Sequence, residues 1–222
     1  DIDLAVAMAA GGAFGGTGQK CTASSRLIVH SAVHDEFVSK LLVATEAMKV
    51  GHALEAGTQI GPVVSQQQLN ENMAYVELGK SEGAELLCGG QRLEMPTEGY
   101  YMNPGLFINS NNDMRINREE MFAPLTAVIK VDSYDEALTT LNDTNFGLTA
   151  GIMTQNLARA THFRRNAKSG CVMVNLATAG TDYHVPFGGR GDSSYGPREQ
   201  GSYASEFYTV VKTAYISSGT PM

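Results

Sequence analysis

Thiols are scarce in this 222-residue chain: Cys21, Cys88 and Cys171 are the only three, far apart in sequence. No Cys-x-x-Cys pair occurs, so neither a disulfide framework nor a paired-thiol redox motif is on offer, and reduced thiols in a cytoplasmic location are expected. Positive charge is scarce as well, with 16 Lys and Arg against 23 Asp and Glu and a net charge of −7. The longest basic cluster is Arg164-Arg165, which excludes the electrostatic footprint of a nucleic-acid binder. No apolar run reaches the ~20 residues that cross a bilayer. The five histidines show no metal-ligand spacing, and no metal is expected. No GxGxxG fingerprint occurs, so the usual dinucleotide loop is missing. Gly79-Lys80-Ser81 imitates the end of a phosphate-binding loop, but Ala74 stands where that motif needs its first glycine. Arg190-Gly191-Asp192 spells an adhesion tripeptide by chance. The chain opens on Asp1-Ile-Asp-Leu with neither an initiator Met nor a basic-then-apolar leader, and is expected to be a fragment.

What is present is a soluble globular composition, 43% hydrophobic and 18% charged, in a length that buries one good core. Asp1 or Asp3 can cap a first helix with an apolar side through Ala13. Leu27–His30 is strand-like, and Ser31 opens a helix with Val33, Phe37, Leu41, Leu42 and Met48 at helical spacing. A helix is expected over 65–82, a short strand over 84–88 and a loop over 91–101. Leu125 to Val131 is a continuous β-prone run, the pattern of a strand buried on both faces. Ser133-x-x-Glu136 is a capping box, followed by strand, helix and strand over 148–154, 157–167 and 171–175. This alternation predicts an α/β fold, a mostly parallel sheet covered on both faces, α/β/α in three layers. The run from Glu206 to Ile216 is β-prone on both faces and needs a partner strand, in its own sheet or in another subunit.

The stretch from Phe14 through Gly15, Gly16 and Gly18 to Cys21 places a thiol at the end of a glycine-rich loop between helix and strand. Glycines there free the backbone to turn N–H groups toward a common point near the sulfur, favouring a thiolate and able to hold an oxyanion. Lys20 adds positive charge. A single cysteine so placed is a candidate nucleophile, against the bland alternative of a small hydrophobe in a tight turn.

Phe14-x-x-x-Gly18-Gln-x-Cys21-x-Ala-x-x-Arg26 resembles the active-site signature of the aldehyde dehydrogenase superfamily, with Gly16 where many members have Asn. Arg118-Glu-Glu-Met-Phe-Ala-Pro124 is similar to its Glu-x-Phe-Gly-Pro segment, with Ala123 for the usual Gly. Pro186-Phe-Gly-Gly189, Ser193 and Gly196-Pro-Arg-Glu-Gln-Gly201 resemble its C-terminal signature, with Gly191 at a frequent Lys position and Pro197 inserted. The wording between Asn175 and Pro186, with the Tyr195-Gly-Pro-Arg-Glu-Gln-Gly201 ending, is most similar to the α-ketoglutaric semialdehyde (2,5-dioxopentanoate) branch.

The resemblance implies a catalytic domain over 1–201, a C-terminal oligomerisation segment over 202–222, and a nucleotide-binding half that precedes Asp1. It implies Cys21 as the nucleophile that passes through thiohemiacetal and thioester, and NAD or NADP as cofactor, with Glu120 on the nicotinamide ribose and Phe122 beside the nicotinamide. Lys20, Thr22, Thr178 and Phe187 are expected to bind substrate, a short carboxylate-bearing aldehyde. A general-base Glu and an oxyanion Asn are expected outside the chain, so the fragment alone is expected to be nearly inactive. A homo-oligomer is expected, a dimer or a dimer of dimers. Succinate semialdehyde and benzaldehyde stay open as substrates. A thiol-redox or acyl-carrying protein and a pure interaction module stay open as other functions.

Overall fold

The computed structural model describes residues 1–219. Helix α1 runs Ile2–Phe14, and its first turn is capped by the Asp1 carboxylate, which accepts the Leu4 N–H at 3.0 Å. A 3-10 turn, Gly15–Gly18, then carries the chain to strand β1, Arg26–His30. Helix α2 (Ser31–Glu46) starts at once, with the His30 ring nitrogen accepting the Ala32 N–H as its cap. Helix α3 (Gln66–Ser81) is capped by Ser65, and strand β2 (Glu85–Cys88) follows. Residues 91–101, expected as loop, contain a strand: β3 (Arg92–Leu93) pairs with β4 (Tyr101–Met102) as a small antiparallel ribbon. Pro96 and Gly99 mark its turn rather than a featureless connection. Then come β5 (Gly105–Ser110), the single-turn α4 (Arg115–Arg118) and β6 (Leu125–Val131).

The main sheet has the order β1-β6-β5-β2, parallel except at the β5–β2 edge. Alternation along β6 sorts the two faces. Leu125 and Ala127 join Phe107, Leu69 and Val76 in a core under α3, whereas Val128 joins Leu106, Val29 and residues of α1 and α2. Helices therefore cover both faces, as the three-layer expectation requires. At Gly79 α3 packs closely on the sheet: an added Cβ would lie 2.8 Å from the Phe107 ring. The sequence's phosphate-loop imitation is thus a packing glycine in a helix.

Helix α5 (Tyr134–Asn142) begins at a modified capping box. Ser133 Oγ accepts the Glu136 N–H at 3.1 Å, but Glu136 reaches back to the Asp132 N–H at 2.8 Å, one residue before the cap. Strands β7 (Thr149–Ile152) and β8 (Cys171–Val174), joined through α6 (Leu157–Asn166), form a parallel pair. No helix among the described residues is long and apolar enough to cross a membrane.

The C-terminal expectation needs correction. Ala204–Tyr208 is a short helix, α7, so Glu206, Phe207 and Tyr208 are not in a strand. Residues 209–219 are exposed, have no regular secondary structure and join no ladder among the described residues. A strand needs a ladder, and among the described residues no ladder includes this run. Residues 220–222 of the expected 202–222 segment lie outside the described residues.

Candidate active site

Three successive left-handed residues shape the loop before Cys21: Gly16, Thr17 and Gly18, at φ 66°, 64° and 64°. Thr17 sustains this conformation because it is buried, with its hydroxyl donating to the Gly61 carbonyl at 3.3 Å. Gly18 has a separate reason to be glycine. A Cβ there would fall inside the Ala123 carbonyl, so the cysteine loop lies directly on the 120–124 segment. Gln19 fixes the loop's other side by accepting the Val64 N–H at 3.1 Å. Cys21 follows, exposed, with no hydrogen bond to any described residue. Lys20 is also exposed, and its methylenes lie over Gly16.

Beyond the cysteine the chain is anchored again. Ser24 donates its N–H to the Gly12 carbonyl at 3.0 Å, and Thr126 Oγ1 donates to the Ser24 and Ser25 carbonyls at 3.0 and 3.1 Å. Arg26 closes the motif from below. Its guanidinium donates to Asn112 and to the Thr140 and Leu141 carbonyls at the C-terminal end of α5. Burial and then the neighbouring Arg118 hold it below the usual guanidinium range, with Asp143 acting the other way. A cation against exposed helix-end carbonyls is the favourable polarity. Asp143 links both motifs, since it takes hydrogen bonds from Asn112 and from Arg118 at 2.8 and 2.7 Å.

Two adjacent acids divide their roles. Glu119 is held by Arg115 at 2.6 Å and by the Tyr75 hydroxyl at 3.1 Å; the Arg115 hydrogen bond chiefly keeps its carboxyl below the usual range. Glu120 makes no hydrogen bond or ion pair with any described residue and is exposed. Phe122 is held at φ 51°, left-handed, with 38% of its surface exposed although it is aromatic. A β-carbon-bearing residue in that region is strained, and such strain collects at functional positions. Its neighbours explain how it is held: the Pro124 carbonyl accepts the Gly105 N–H, and Met121 and Ala123 are buried.

Cys21, Lys20, Glu120, Phe122 and Thr178 all line one groove of about 680 Å³. The groove continues away from Cys21 between β1 and β7, along an apolar floor that includes Leu27, Val29 and Ile152. Two expected substrate residues are elsewhere. Thr22 is buried, its hydroxyl accepting the Gly180 N–H at 3.4 Å, so it supports the loop rather than facing substrate. Phe187 is bound backbone to backbone with Glu199, at 2.7 and 3.1 Å, in an isolated bridge off the groove. The C-terminal signature thus closes on itself, with Arg198 donating to the Gly189 carbonyl. Gly191 is required here, at φ 57° and with the Asn145 carbonyl where a Cβ would stand, so the frequent Lys position is remade rather than merely lost.

Ser24 also lines the groove and was not legible as a site residue, because its side-chain partner, Thr178, is 154 positions away. Among the described residues no group of three or more His, Cys, Asp and Glu could hold a metal ion.

A cysteine after a left-handed loop, sharing one groove with an unengaged glutamate and an exposed phenylalanine, is the arrangement that the sequence motifs imply, and residues 1–214 match the Aldehyde dehydrogenase family. The chain belongs to that family. It is 43% identical over 218 residues to the alpha-ketoglutaric semialdehyde dehydrogenase of Bacillus subtilis, which is 97% of this chain and 45% of that protein. It is 38% identical over 221 residues to a betaine aldehyde dehydrogenase of Brucella anthropi, 99% of this chain and 45% of that one. Among solved structures, the betaine aldehyde dehydrogenase of Staphylococcus aureus in complex with NAD+ superposes at a TM-score of 0.91 and 31% identity, over 95% of this chain and 42% of its own. The chain therefore spans a little under half the length of these aldehyde dehydrogenases.

Proposed function

We propose that this chain is the cysteine-bearing part of an NAD(P)+-dependent aldehyde dehydrogenase whose substrate is a short carboxylate-bearing aldehyde such as 2,5-dioxopentanoate. The observation that carries the reading is the seating of Gly18 on Ala123, because it puts the nucleophile loop and the Glu120–Phe122 segment on one groove. The residues present fit a nicotinamide ribose: Glu120 is a free carboxylate able to accept two vicinal hydroxyls, and Phe122 offers a ring to a planar cation. Bound there, the dinucleotide supplies the hydride acceptor.

In the reading proposed, Cys21 thiolate forms a C–S bond to the aldehyde carbon as the carbonyl π pair moves to oxygen. Loss of hydride restores that carbonyl as a thioester on Cys21. Water then adds, and the C–S bond breaks to free the carboxylate and regenerate the thiolate. A thiolate suits both steps, being a good nucleophile toward a carbonyl and a good leaving group from an acyl carbon. Lys20 stands at the mouth beside Cys21, where its charge favours a substrate carboxylate. The three free thiols fit a reducing compartment such as the cytoplasm. Because the chain covers under half of its relatives, turnover is assigned to the full-length protein.

We further place the exposed segment 209–219 as a strand that pairs with a second copy of the protein, making a homo-oligomer. Val211 and Tyr215 are 99% and 97% exposed, and strand addition would cover them.

The test is NAD+ and NADP+ reduction by the full-length protein with 2,5-dioxopentanoate, succinate semialdehyde and benzaldehyde. The acidic aldehydes are expected to lead, and Cys21→Ser to abolish turnover with the fold intact. A preference for benzaldehyde would overturn the substrate class, and turnover by Cys21→Ser would overturn the mechanism.

A further inference from the structure

Two segments wall the mouth at Cys21: the nucleophile loop and the connection that leaves β8. Among the described residues only two hydrogen bonds join them. Gly180 donates its N–H to Thr22 Oγ1 at 3.4 Å, and the Ser24 and Thr178 hydroxyls lie 2.6 Å apart. The second is the shorter bond, and both its members line the groove with Cys21.

The surroundings are shaped to this pair. Gly12 has no side chain where a Cβ would stand 2.9 Å from Ser24 Oγ and 3.7 Å from Thr178 Oγ1. The Thr178 methyl lies against Gly151 of β7, 3.2 Å from where a Cβ would be. With methyl and hydroxyl both engaged, Thr178 has one χ1 well open to it. The connection is fixed at its start too: Asn175, left-handed at φ 57°, accepts the Thr154 N–H at 2.8 Å and donates to the Thr154 carbonyl at 2.9 Å. The Ser24 backbone is itself anchored, its N–H donating to the Gly12 carbonyl and its carbonyl accepting from Thr126 Oγ1. A hydroxyl on an anchored part of the nucleophile loop thus meets the opposite wall at Thr178.

We propose that Ser24 is a positioning residue for substrate specificity: through Thr178 it fixes the wall facing Cys21 and so the fit of a short polar aldehyde. This rests on the dehydrogenase reading above. Thr178, expected from sequence to bind substrate directly, acts here as the wall that Ser24 holds. Losing one partner leaves the other hydroxyl unpaired in a half-buried place, which raises the cost above that of the bond alone. Replacing both should add little further, since the two act as a unit.

The experiment uses Ser24→Ala, Thr178→Val, their double variant, and the conservative Ser24→Thr and Thr178→Ser, all in the full-length protein. For 2,5-dioxopentanoate, KM is expected to rise about fivefold to tenfold in each disruptive single variant, the scale of one lost hydrogen bond. kcat should stay within about twofold, the double variant should match the worse single, and the hydroxyl-bearing variants should restore KM. Alkylation of Cys21 by iodoacetate and by iodoacetamide is the readout that needs no turnover. The ratio of the two rates should shift in the disruptive variants and return in the conservative ones. Additive KM effects, or no rescue by Ser24→Thr together with Thr178→Ser, would overturn the proposal. If the wild type oxidises no aldehyde, the dehydrogenase reading fails, while the alkylation ratio still decides whether the pair sets the wall.

Discussion

Gly18 and Ala123 touch backbone to backbone, and the site depends on that contact. The first belongs to the nucleophile loop and the second to the Glu120–Phe122 segment, more than a hundred residues later in the chain. No side chain fits at position 18, both because of the contact and because of the left-handed backbone. Gly18→Ala is therefore expected to cost stability on the order of 2 kcal/mol or more. It should also slow Cys21 alkylation or redirect it to the other thiols. Thermal melting and mass mapping of the alkylated peptides check this, and an unchanged melting curve would contradict the close seating.

Glu119 and Glu120 are neighbours with different fates, so their amide variants separate structure from binding. Glu119→Gln removes the partner of Arg115 and Tyr75 and should change stability by no more than about 1 kcal/mol, as exposed ion pairs do. Glu120→Gln should leave melting unchanged and raise the KM for the nicotinamide nucleotide about tenfold, the scale of a charged hydrogen bond. Calorimetric melting and nucleotide titration of the same preparations distinguish the two. Equal nucleotide effects of both variants would refute the division.

Asp143 gives a pH dependence with a definite sign. Its carboxyl is held below the usual range first by the Arg118 hydrogen bond, which desolvation opposes, with Asn112 and the charges of Arg118 and Arg26 adding to the lowering. A depressed folded-state value contributes stability that is present above the unfolded value of about 3.9 and is lost as pH falls through the folded value. Wild type should therefore melt above Asp143→Asn at neutral pH, and the gap should close below about pH 4. Melting curves across that range test it, and a gap that widens with acid would reverse the sign.

Deletion of residues 206–222 tests the tail. The full-length protein should lose its oligomer, with sedimentation mass falling to that of one chain. An oligomer that survives the deletion shows that the contact lies elsewhere.

Sequence patterns revealed most of the frame because its elements are locally specified. Ser65, Ser133 and Asp1 cap helices as their residue types predict, and the continuous β-prone run at Leu125 to Val131 is an inner strand of the main sheet. The motifs around Cys21, Glu120 and Phe122 were legible by spacing and residue type, and the fold brings all three onto one groove. What escaped was set by distance. The β3–β4 ribbon is two residues a side and too short for a period to show. Thr22 and Phe187 have side chains suited to a pocket, but packing turned one inward and backbone pairing took the other off the groove. The tail shows propensity overridden: α7 uses Glu206, Phe207 and Tyr208, and no ladder forms without a second strand.

One feature of the sheets bears on handling the molecule. Among the described residues β1 bonds only to β6 and β7 only to β8, and both line the same groove. In a parallel ladder alternate residues aim their amides at opposite neighbours, so part of β1 addresses β6 and the rest faces open space. Deuterium should therefore enter β1 in a stagger, every second amide exchanging quickly beside a protected one, while β6 between its two partners resists throughout. The same open rows of donors and acceptors can take up a strand from a neighbouring molecule. Concentrated solutions of the 222-residue chain would then thicken toward aggregates through this cleft, and a short soluble β-strand peptide seated there would keep them clear.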